Sequence, residues 1–531
     1  MAATSVKIPE FETTAVDVIP AIASNVRGTF RTNKTKNVQW RLTQLRKLYW
    51  AIEDYRPQLM AALKKDLNKS EYEAVLTEVD WVKSDCMFMI KNLETFVKDE
   101  KLAAPTVPAH FSLMKFRVRK EPLGAALIIG PYNYPVQLTL SPLVGAIAAG
   151  CTAVLKPSEL TPNCAMVMKE MVQKRLDPNA YAVVNGGIPE VTALLEEKWD
   201  KIFFTGSAQV GTVIAKKAAE TLTPVCLELG GRNPAFITKN ANLKVAAKRL
   251  LWGKTLNAGQ VCLSQNYILV DIDLVPNFIE HLKDAYKEYF PNGAKASPDL
   301  GRIVNARHFH RLKKMLDETK GKIVMGGEMD ESELFIEPTA VLLNSTNDSM
   351  MTEESFGPIF SIYPVHSLDQ ALNIANSVHR TPLALYSFGS KKENERVLNE
   401  MTSGGATLND SYFHGSVNTV PFGGVGDSGT GVAHGKAAFD TFSHTRTIAE
   451  IPNWADGILR ARYMPYDFKN LRMIRALAPK PNFDRNGKVI KGLGYWISLV
   501  LGLGAKGAKG ALLRWLLVLA GGYFYQQRRQ S

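Results

Sequence analysis

From Pro122 onward the sequence alternates short apolar runs with helix-patterned segments, and this alternation restricts the fold more than any other feature of the chain. Gly124-Ala-Ala-Leu-Ile-Ile-Gly130 is apolar between two glycines, and Ala153-Val-Leu-Lys156 and Lys201-Ile-Phe-Phe204 have the same texture. A strand without a polar face has to be covered on both sides. Ser141 to Gly150 and Thr161 to Lys174 lie between these runs and read as the covering helices. Such alternation predicts a parallel sheet with helices on both faces. It resumes after Gly231, with Pro234-Ala-Phe-Ile237 and Tyr267-Ile-Leu-Val270 as strands and Leu243 to Trp252 and Val275 to Phe290 as helices. Earlier, from about Val38 to Leu93, Leu42, Leu45, Leu48, Tyr49 and Ile52 recur at three- and four-residue spacing, the pattern of amphipathic helices. The expected fold class is α/β.

A chain of 531 residues, 46% hydrophobic and 22% charged, suffices for a large multi-domain globular protein and excludes a mainly disordered one. Five cysteines (Cys86, Cys151, Cys164, Cys226 and Cys262) form no C-x-x-C pair, which excludes a disulfide scaffold. A metal site is not expected, and a reducing compartment is. Of the net charge of +13, the segment from Thr447 to Ser531 holds +10, as 14 basic and 4 acidic residues. The other 446 residues carry 50 basic and 47 acidic residues. A near-neutral body argues against nucleic-acid binding and sets the C-terminus apart. Glu10, Glu12 and Asp17 interrupt the N-terminus, which matches neither a signal peptide nor an Arg-rich presequence.

Several short motifs could carry chemistry, and each also has an ordinary structural reading. Gly424-Val-Gly426-Asp-Ser-Gly429 fits G-x-G-x-x-G but follows a Pro421-containing turn, so a glycine-rich turn explains it better than a dinucleotide site. Phe204-Thr-Gly206-Ser207 ends a strand and opens a helix, which suits either a phosphate or a plain helix cap. Leu155-Lys156-Pro-Ser-Glu159 ends another strand, where α/β sheets bind ligands and where solvated turns also lie. Leu227-Glu228-Leu229-Gly230-Gly231 puts a carboxylate inside an apolar strand; it is a general base, or an acid satisfied by a neighbour or by solvent. Asn257-Ala-Gly259-Gln-Val-Cys262 sets a cysteine after a glycine turn, as nucleophile or as a small buried apolar group. Pro131-Tyr-Asn133-Tyr-Pro135 fixes an amide between prolines, as turn chemistry or as an oxyanion donor.

Taken together, in order and spacing, these motifs resemble the aldehyde dehydrogenase superfamily over roughly Val38 to Arg446. Two more stretches support the resemblance, Glu353-Glu354-Ser-Phe356-Gly-Pro358 and Pro421-Phe-Gly-Gly-Val-Gly426. The run from Val432 to Arg446 is similar to the fatty aldehyde dehydrogenase, class 3-like branch. The resemblance implies a Rossmann-like NAD-binding domain at 22–228 with an oligomerisation hairpin near 110–122. It also implies an α/β catalytic domain at 229–408, an oligomerisation segment at 409–446, and a homodimer. Cys262 would be the nucleophile and would form a thiohemiacetal, then a thioester. Asn133 would hold the oxyanion and Glu228 would activate the hydrolytic water. Lys156 and Glu159 would meet the adenosine ribose, Gly206 and Ser207 the pyrophosphate, and Glu354 the nicotinamide ribose, with Phe356 beside it. Glu159 would repel a 2′-phosphate, so NAD is expected, with NADP possible. Two departures, Arg232 for the usual Lys and Tyr132 in the oxyanion turn, keep the chemical character. Intact Cys262, Glu228 and Asn133 argue against a catalytically silent binding protein on this fold, and Glu228 argues against transfer of the thioester to a thiol.

The tail, 447–531, contains two apolar stretches, Gly492 to Ala505 and Ala511 to Tyr525, separated by Lys506-Gly-Ala-Lys509. Neither reaches the roughly 20 residues a spanning helix needs. Trp496, Trp515, Tyr523 and Tyr525 beside Lys and Arg suit a membrane interface, as a hairpin or an in-plane helix. Fatty aldehyde dehydrogenases carry comparable anchors, so a membrane-associated, cytosol-facing location (endoplasmic reticulum, lipid droplet or mitochondrial outer membrane) is expected. A membrane address suits an apolar substrate. The first expectation is oxidation of a long-chain fatty aldehyde to its acid; the alternative is an apocarotenoid aldehyde such as beta-apo-4'-carotenal.

Overall fold

The computed structural model describes residues 6–103, 106–457, 459–476, 481–502 and 508–530. They divide into two compact units, Met1–Lys101 with Arg117–Ile448, and Leu102–Phe116 with Ala449–Ser531.

The larger unit is α/β and is built on two sheets. In the first, the strands run in the order Gly429–Thr430, Val225–Leu229, Lys201–Gly206, Ala125–Ile129, Thr152–Lys156, Tyr181–Val183. All pair in parallel except the short edge strand Gly429–Thr430. Every residue of Ala125–Ile129 and Thr152–Lys156 is buried, the apolar runs together with Thr152 and Lys156 at the ends of the second strand. The second sheet runs Lys322–Met325, Thr339–Leu342, Ile359–Val365, Gln265–Asp271, Asn233–Ile237, Ala384–Phe388, Gly405–Leu408, and only the first of these is antiparallel to its neighbour. A third, small sheet joins Arg117–Pro122 to Glu100–Lys101 on one side and Ser443–Ile448 on the other.

The helices predicted between strands are present as Gln137–Ala149, Pro162–Arg175, Leu243–Thr255 and Val275–Tyr289. The first starts four residues before the sequence pattern suggests. Its N-cap residue Val136 offers no side-chain acceptor. Instead the Glu78 carboxylate accepts from the N–H groups of Val136 and Gln137 at 3.0 and 2.9 Å, a cap supplied from far away in the sequence. The stretch Val38 to Leu93 is several helices rather than one: Val38–Asp54, capped by Asn37 Oδ1 on Trp40 N at 3.0 Å, then Arg56–Leu67 and Asp80–Phe96. Asn68, left-handed at φ 50°, ends the second, and a π-helical turn at Val75–Val79 precedes the third.

The smaller unit holds the helices Phe468–Ala476, Leu493–Leu501 and Ala508–Gln530. Among the described residues no helix is long and apolar enough to cross a membrane. Ala508–Gln530 has the length, but Lys509, Arg514, Arg528 and Arg529 interrupt its apolar run. Trp496 and Trp515 are exposed, and the Trp515 indole N–H donates to Leu501 O. Lys506 and the side chains of Tyr523 and Tyr525 lie outside the described residues.

Candidate active site

Four of the expected site segments emerge at the C-terminal edge of the first sheet, where parallel sheets bind ligands. Asn133 follows Ala125–Ile129, Glu159 follows Thr152–Lys156, Ser207 follows Lys201–Gly206, and Glu228 lies in Val225–Leu229. Cys262 and Glu354 come from the other sheet, just ahead of the strands Gln265–Asp271 and Ile359–Val365.

Glu228 pairs in register with Thr205 on one side and Gly429 on the other. A side chain at Gly429, where φ is +136°, would meet Leu227 O at 2.0 Å, which explains a glycine of the set-aside G-x-G-x-x-G match. Glu228 is 6% exposed as a residue, and neither of its buried carboxyl oxygens has a hydrogen-bond partner. It is neither turned to solvent nor satisfied by a neighbour. Burial therefore raises its pKa well above the usual carboxylate range.

The loop before Cys262 is strained and strapped. Asn257, Ala258 and Gly259 are all left-handed, at φ 48°, 52° and 69°. Only glycine fits at 259, since a Cβ there would lie 2.2 Å from Gly357 O. Left-handed Ala258 costs about 1–2 kcal/mol. Buried amides offset this. Gln260 Nε2 donates to Asn257 O and Arg302 O at 3.1 and 2.9 Å, and Gln260 Oε1 accepts from Val304 N at 3.0 Å. Beyond the turn, Asn233 Nδ2 donates to Cys262 O and Ser264 O at 2.7 and 3.0 Å, and Tyr386 OH donates to Leu263 O. Cys262 is partly exposed, whereas the other four cysteines are buried. Burial of its sulfur, reinforced by Glu354 and Glu228, pushes the thiol up to about 12.

Asn133 is 3% exposed, and its Nδ2 donates to Gln260 O at 2.9 Å, two residues before Cys262. Asn257 Nδ2 donates to Asn133 O at 2.8 Å, so the two loops hold each other. Toward the proposed cofactor side, Lys156 Nζ pairs with Glu159 Oε2 at 2.9 Å. Ser207 caps Ala208–Glu220, its Oγ accepting from Val210 N at 3.3 Å. Glu354 accepts from Gly231 N, and burial raises its carboxyl to about 7. Phe356 packs edge-on against Tyr132 at 5.9 Å. The Arg232 guanidinium donates to Met351 O and Thr352 O, tying the paired-glycine turn to the segment that leads to Glu354.

Cys262 and Glu228 share the wall of one cavity with Thr205, Leu138, Phe88, Met89, Phe203, Phe422 and Phe442. Asn133, Lys156, Glu159, Gly206, Ser207, Glu354 and Phe356 do not line it. A second cavity of about 390 Å³ is walled by Tyr72, Trp252, Tyr289, Phe290 and Tyr412. The Tyr412 hydroxyl lies 3.2 Å from that of Tyr134. The sequence reading missed these aromatic residues, together with His434 and Asp85 on the first cavity's wall. Asp85, deep in a helix pattern, carries no local signal.

Asp85 supports a pH prediction. Its carboxylate accepts from Ser141 Oγ and from Asn418 Nδ2 at 2.9 Å, and burial raises it from 3.8 to about 7. The folded state thus favours the protonated form. The stabilisation is complete below about pH 4 and is lost as pH rises through about 7. Asp85→Asn reproduces the protonated hydrogen-bond pattern and is expected to raise Tm at pH 8, with up to about 4 kcal/mol at stake. At pH 4 the two melting curves should coincide; an Asn variant less stable at pH 8 would show that the carboxylate is wanted charged.

Comparison with known proteins bears on the family and the fold. Residues 2–448 match the model for the aldehyde dehydrogenase family. The chain is 68% identical over 535 residues to beta-apo-4'-carotenal oxygenase of Neurospora crassa, with all of both chains covered. It is 42% identical over 443 residues to aldehyde dehydrogenase family 3 member A2 of Mus musculus, covering 83% of this chain and 90% of the relative. The solved structure of Staphylococcus aureus AldH in its substrate-bound state superposes with a TM-score of 0.82 at 38% identity, over 86% of this chain and 99% of that one.

Proposed function

This chain belongs to the aldehyde dehydrogenase family and is an aldehyde-oxidising enzyme, and from that premise we propose that its substrate is an apocarotenoid aldehyde, oxidised to the carboxylic acid. The relative named for beta-apo-4'-carotenal favours this over the fatty aldehyde expected first. The observation that carries the reading is the aromatic lining of the two cavities, of which the first holds the reactive residues. Phe88, Phe203 and Phe422 stand beside Cys262 and Glu228, and Trp252, Tyr289, Phe290 and Tyr412 line the second cavity. Flat rings offer a conjugated polyene stacking that a saturated chain cannot return.

In this reading Cys262, its proton lost to solvent, attacks the aldehyde carbon as the thiolate and forms the thiohemiacetal oxyanion. One N–H of the Asn133 amide is spent on Gln260 O; the other, with the Cys262 backbone N–H, holds the oxyanion. Bound NAD(P) would accept the hydride. The chain's residues fit that group: Glu354 Oε1 and Thr205 Oγ1 are buried without a partner, as groups awaiting a ligand's hydroxyl or amide would be. Glu354 would hold the nicotinamide ribose, Lys156 and Glu159 the adenosine ribose, and Gly206 and Ser207 the pyrophosphate. Glu159 repels a 2′-phosphate, which favours NAD. Glu228 then takes a proton from water, and the hydroxide releases the acid from the thioester. Homodimerisation and a domain division at 228/229 and 408/409 complete the reading.

The tail completes it in space. Ile497, Val500, Leu501, Leu512, Leu516 and Leu517 are exposed on two helices that each bear a tryptophan, the second of them also Lys509 and Arg514, a composition for lying in an anionic, cytosol-facing membrane surface. One experiment tests substrate and address together. The full chain and a chain ending before Gly492 are assayed on short aldehydes, saturated long-chain aldehydes and an apocarotenal presented in anionic vesicles. The full chain should show its highest kcat/KM on the apocarotenal. The shorter chain should keep its rate on short aldehydes, cease to sediment with vesicles, and lose at least about tenfold on the vesicle-borne substrate. Preference for saturated chains refutes the substrate; vesicle binding without the tail refutes the anchor.

A further inference from the structure

We propose that Lys69 and Glu78 form a positioning pair that fixes the oxyanion turn for the first chemical step. The inference rests on the assignment of Asn133 as oxyanion donor. Both side chains are fully buried, with Lys69 Nζ 2.6 Å from Glu78 Oε1. Lys69 Nζ also donates to Asn133 O at 3.2 Å and lies 4.0 Å from the centre of the Tyr134 ring. Glu78 Oε2 accepts from Val136 N and Gln137 N, three and four residues further along the same turn. The cation thus grips the start of the turn and the carboxylate its end.

The clamp extends to the nucleophile loop. Asn133 O accepts a second bond from Asn257 Nδ2, and Asn257 N donates to Glu73 Oε2 at 3.0 Å. Asn257 Nδ2 also donates to Gln260 O at 3.2 Å, the acceptor shared with the Asn133 side chain. One short segment, Lys69 to Glu78, therefore braces both loops that would supply oxyanion donors. A buried ion pair is seldom the most stable filling for its volume, because desolvation consumes much of the attraction. What apolar replacements cannot do is hold two backbone N–H groups and a carbonyl in fixed directions. Preorganised donors matter most where charge develops during reaction. A misplacement of about 1 Å costs on the order of 100-fold in rate.

The test compares stability with rate. Lys69→Met leaves Glu78 unpaired and is expected to lower both Tm and the NADH burst rate. The double variant Lys69→Met/Glu78→Gln removes both charges; its Tm should recover, while its burst stays about 100-fold slow. The Kd for NAD should remain within twofold of wild type throughout. A double variant with a wild-type burst rate overturns the proposal and leaves the pair structural. If the double variant does not fold, Glu78→Asp, which keeps the charge and shortens the reach, should slow the burst about tenfold; an unchanged burst overturns the proposal equally. Asn133→Ala is measured alongside. If it leaves the burst intact, the oxyanion assignment falls and the positioning role falls with it. If it slows the burst and the pair variants do not, only the positioning role falls.

Discussion

Cys262→Ala is expected to lower aldehyde oxidation by at least about 10⁴-fold, or roughly 5 kcal/mol of barrier, while NAD binding stays within twofold of wild type. The proposed nucleophile shares a cavity with Glu228 and is the one cysteine with partial exposure among buried ones. Its loop owes its course to Asn257, Ala258, Gly259 and the buried amides of Gln260 and Asn233, none of which uses the sulfur. The variant should therefore fold and keep its cofactor site. Cys86, Cys151, Cys164 and Cys226 replaced singly by alanine should retain activity. A further consequence concerns pH. The Cys262 thiol, pushed up to about 12, gains thiolate as pH rises. Acylation by wild type should accelerate across the alkaline range until bound cofactor and substrate set the limit. Turnover of Cys262→Ala within tenfold of wild type would remove Cys262 from the mechanism.

What the sequence discloses is what short-range pattern can encode. Runs such as Ala125–Ile129 and Ala153–Leu155 are apolar throughout because both faces are covered, and their shortness between glycines and helix-patterned segments reveals this. The loop before Cys262 is legible because left-handed backbone at Gly259 against Gly357 O admits one residue type. Bonds across long separations leave no such trace. Glu78 caps a helix 58 residues away, Asn418 serves Asp85 across 333 residues, and the Tyr134 and Tyr412 hydroxyls meet across 278. Each looks locally like an ordinary polar residue. The early start of Gln137–Ala149 was hidden for the same reason, since its cap is a carboxylate on another helix segment. The aromatic cavity walls come from many elements, so their shape exists only after folding.

Glu228→Gln is expected to separate the two halves of the reaction: a burst of about one NADH per active site at nearly wild-type rate, then a steady state slower by about 10²–10³-fold. Hydride transfer requires the thiohemiacetal and the cofactor, not the carboxylate. Hydrolysis of the thioester requires a base, and removing a general base costs on the order of 10²–10⁴. Glutamine occupies the same volume, and the pairing with Thr205 and Gly429 is made by the backbone, so the strand should not shift. Stability should not fall, because the native carboxyl is buried without a partner on either oxygen and is raised well above its usual range. The sign of the pH effect follows. A raised acid is neutral at low pH and becomes a competent base as pH climbs through its folded pKa. Wild-type deacylation should rise along that limb, and Glu228→Gln should lose the limb while keeping the burst. Stopped-flow recording of NADH from pH 6 to 9 reads both phases. Equal loss of burst and steady state would mean that Glu228 positions the reactants instead. A wild-type steady state would mean that another group activates the water.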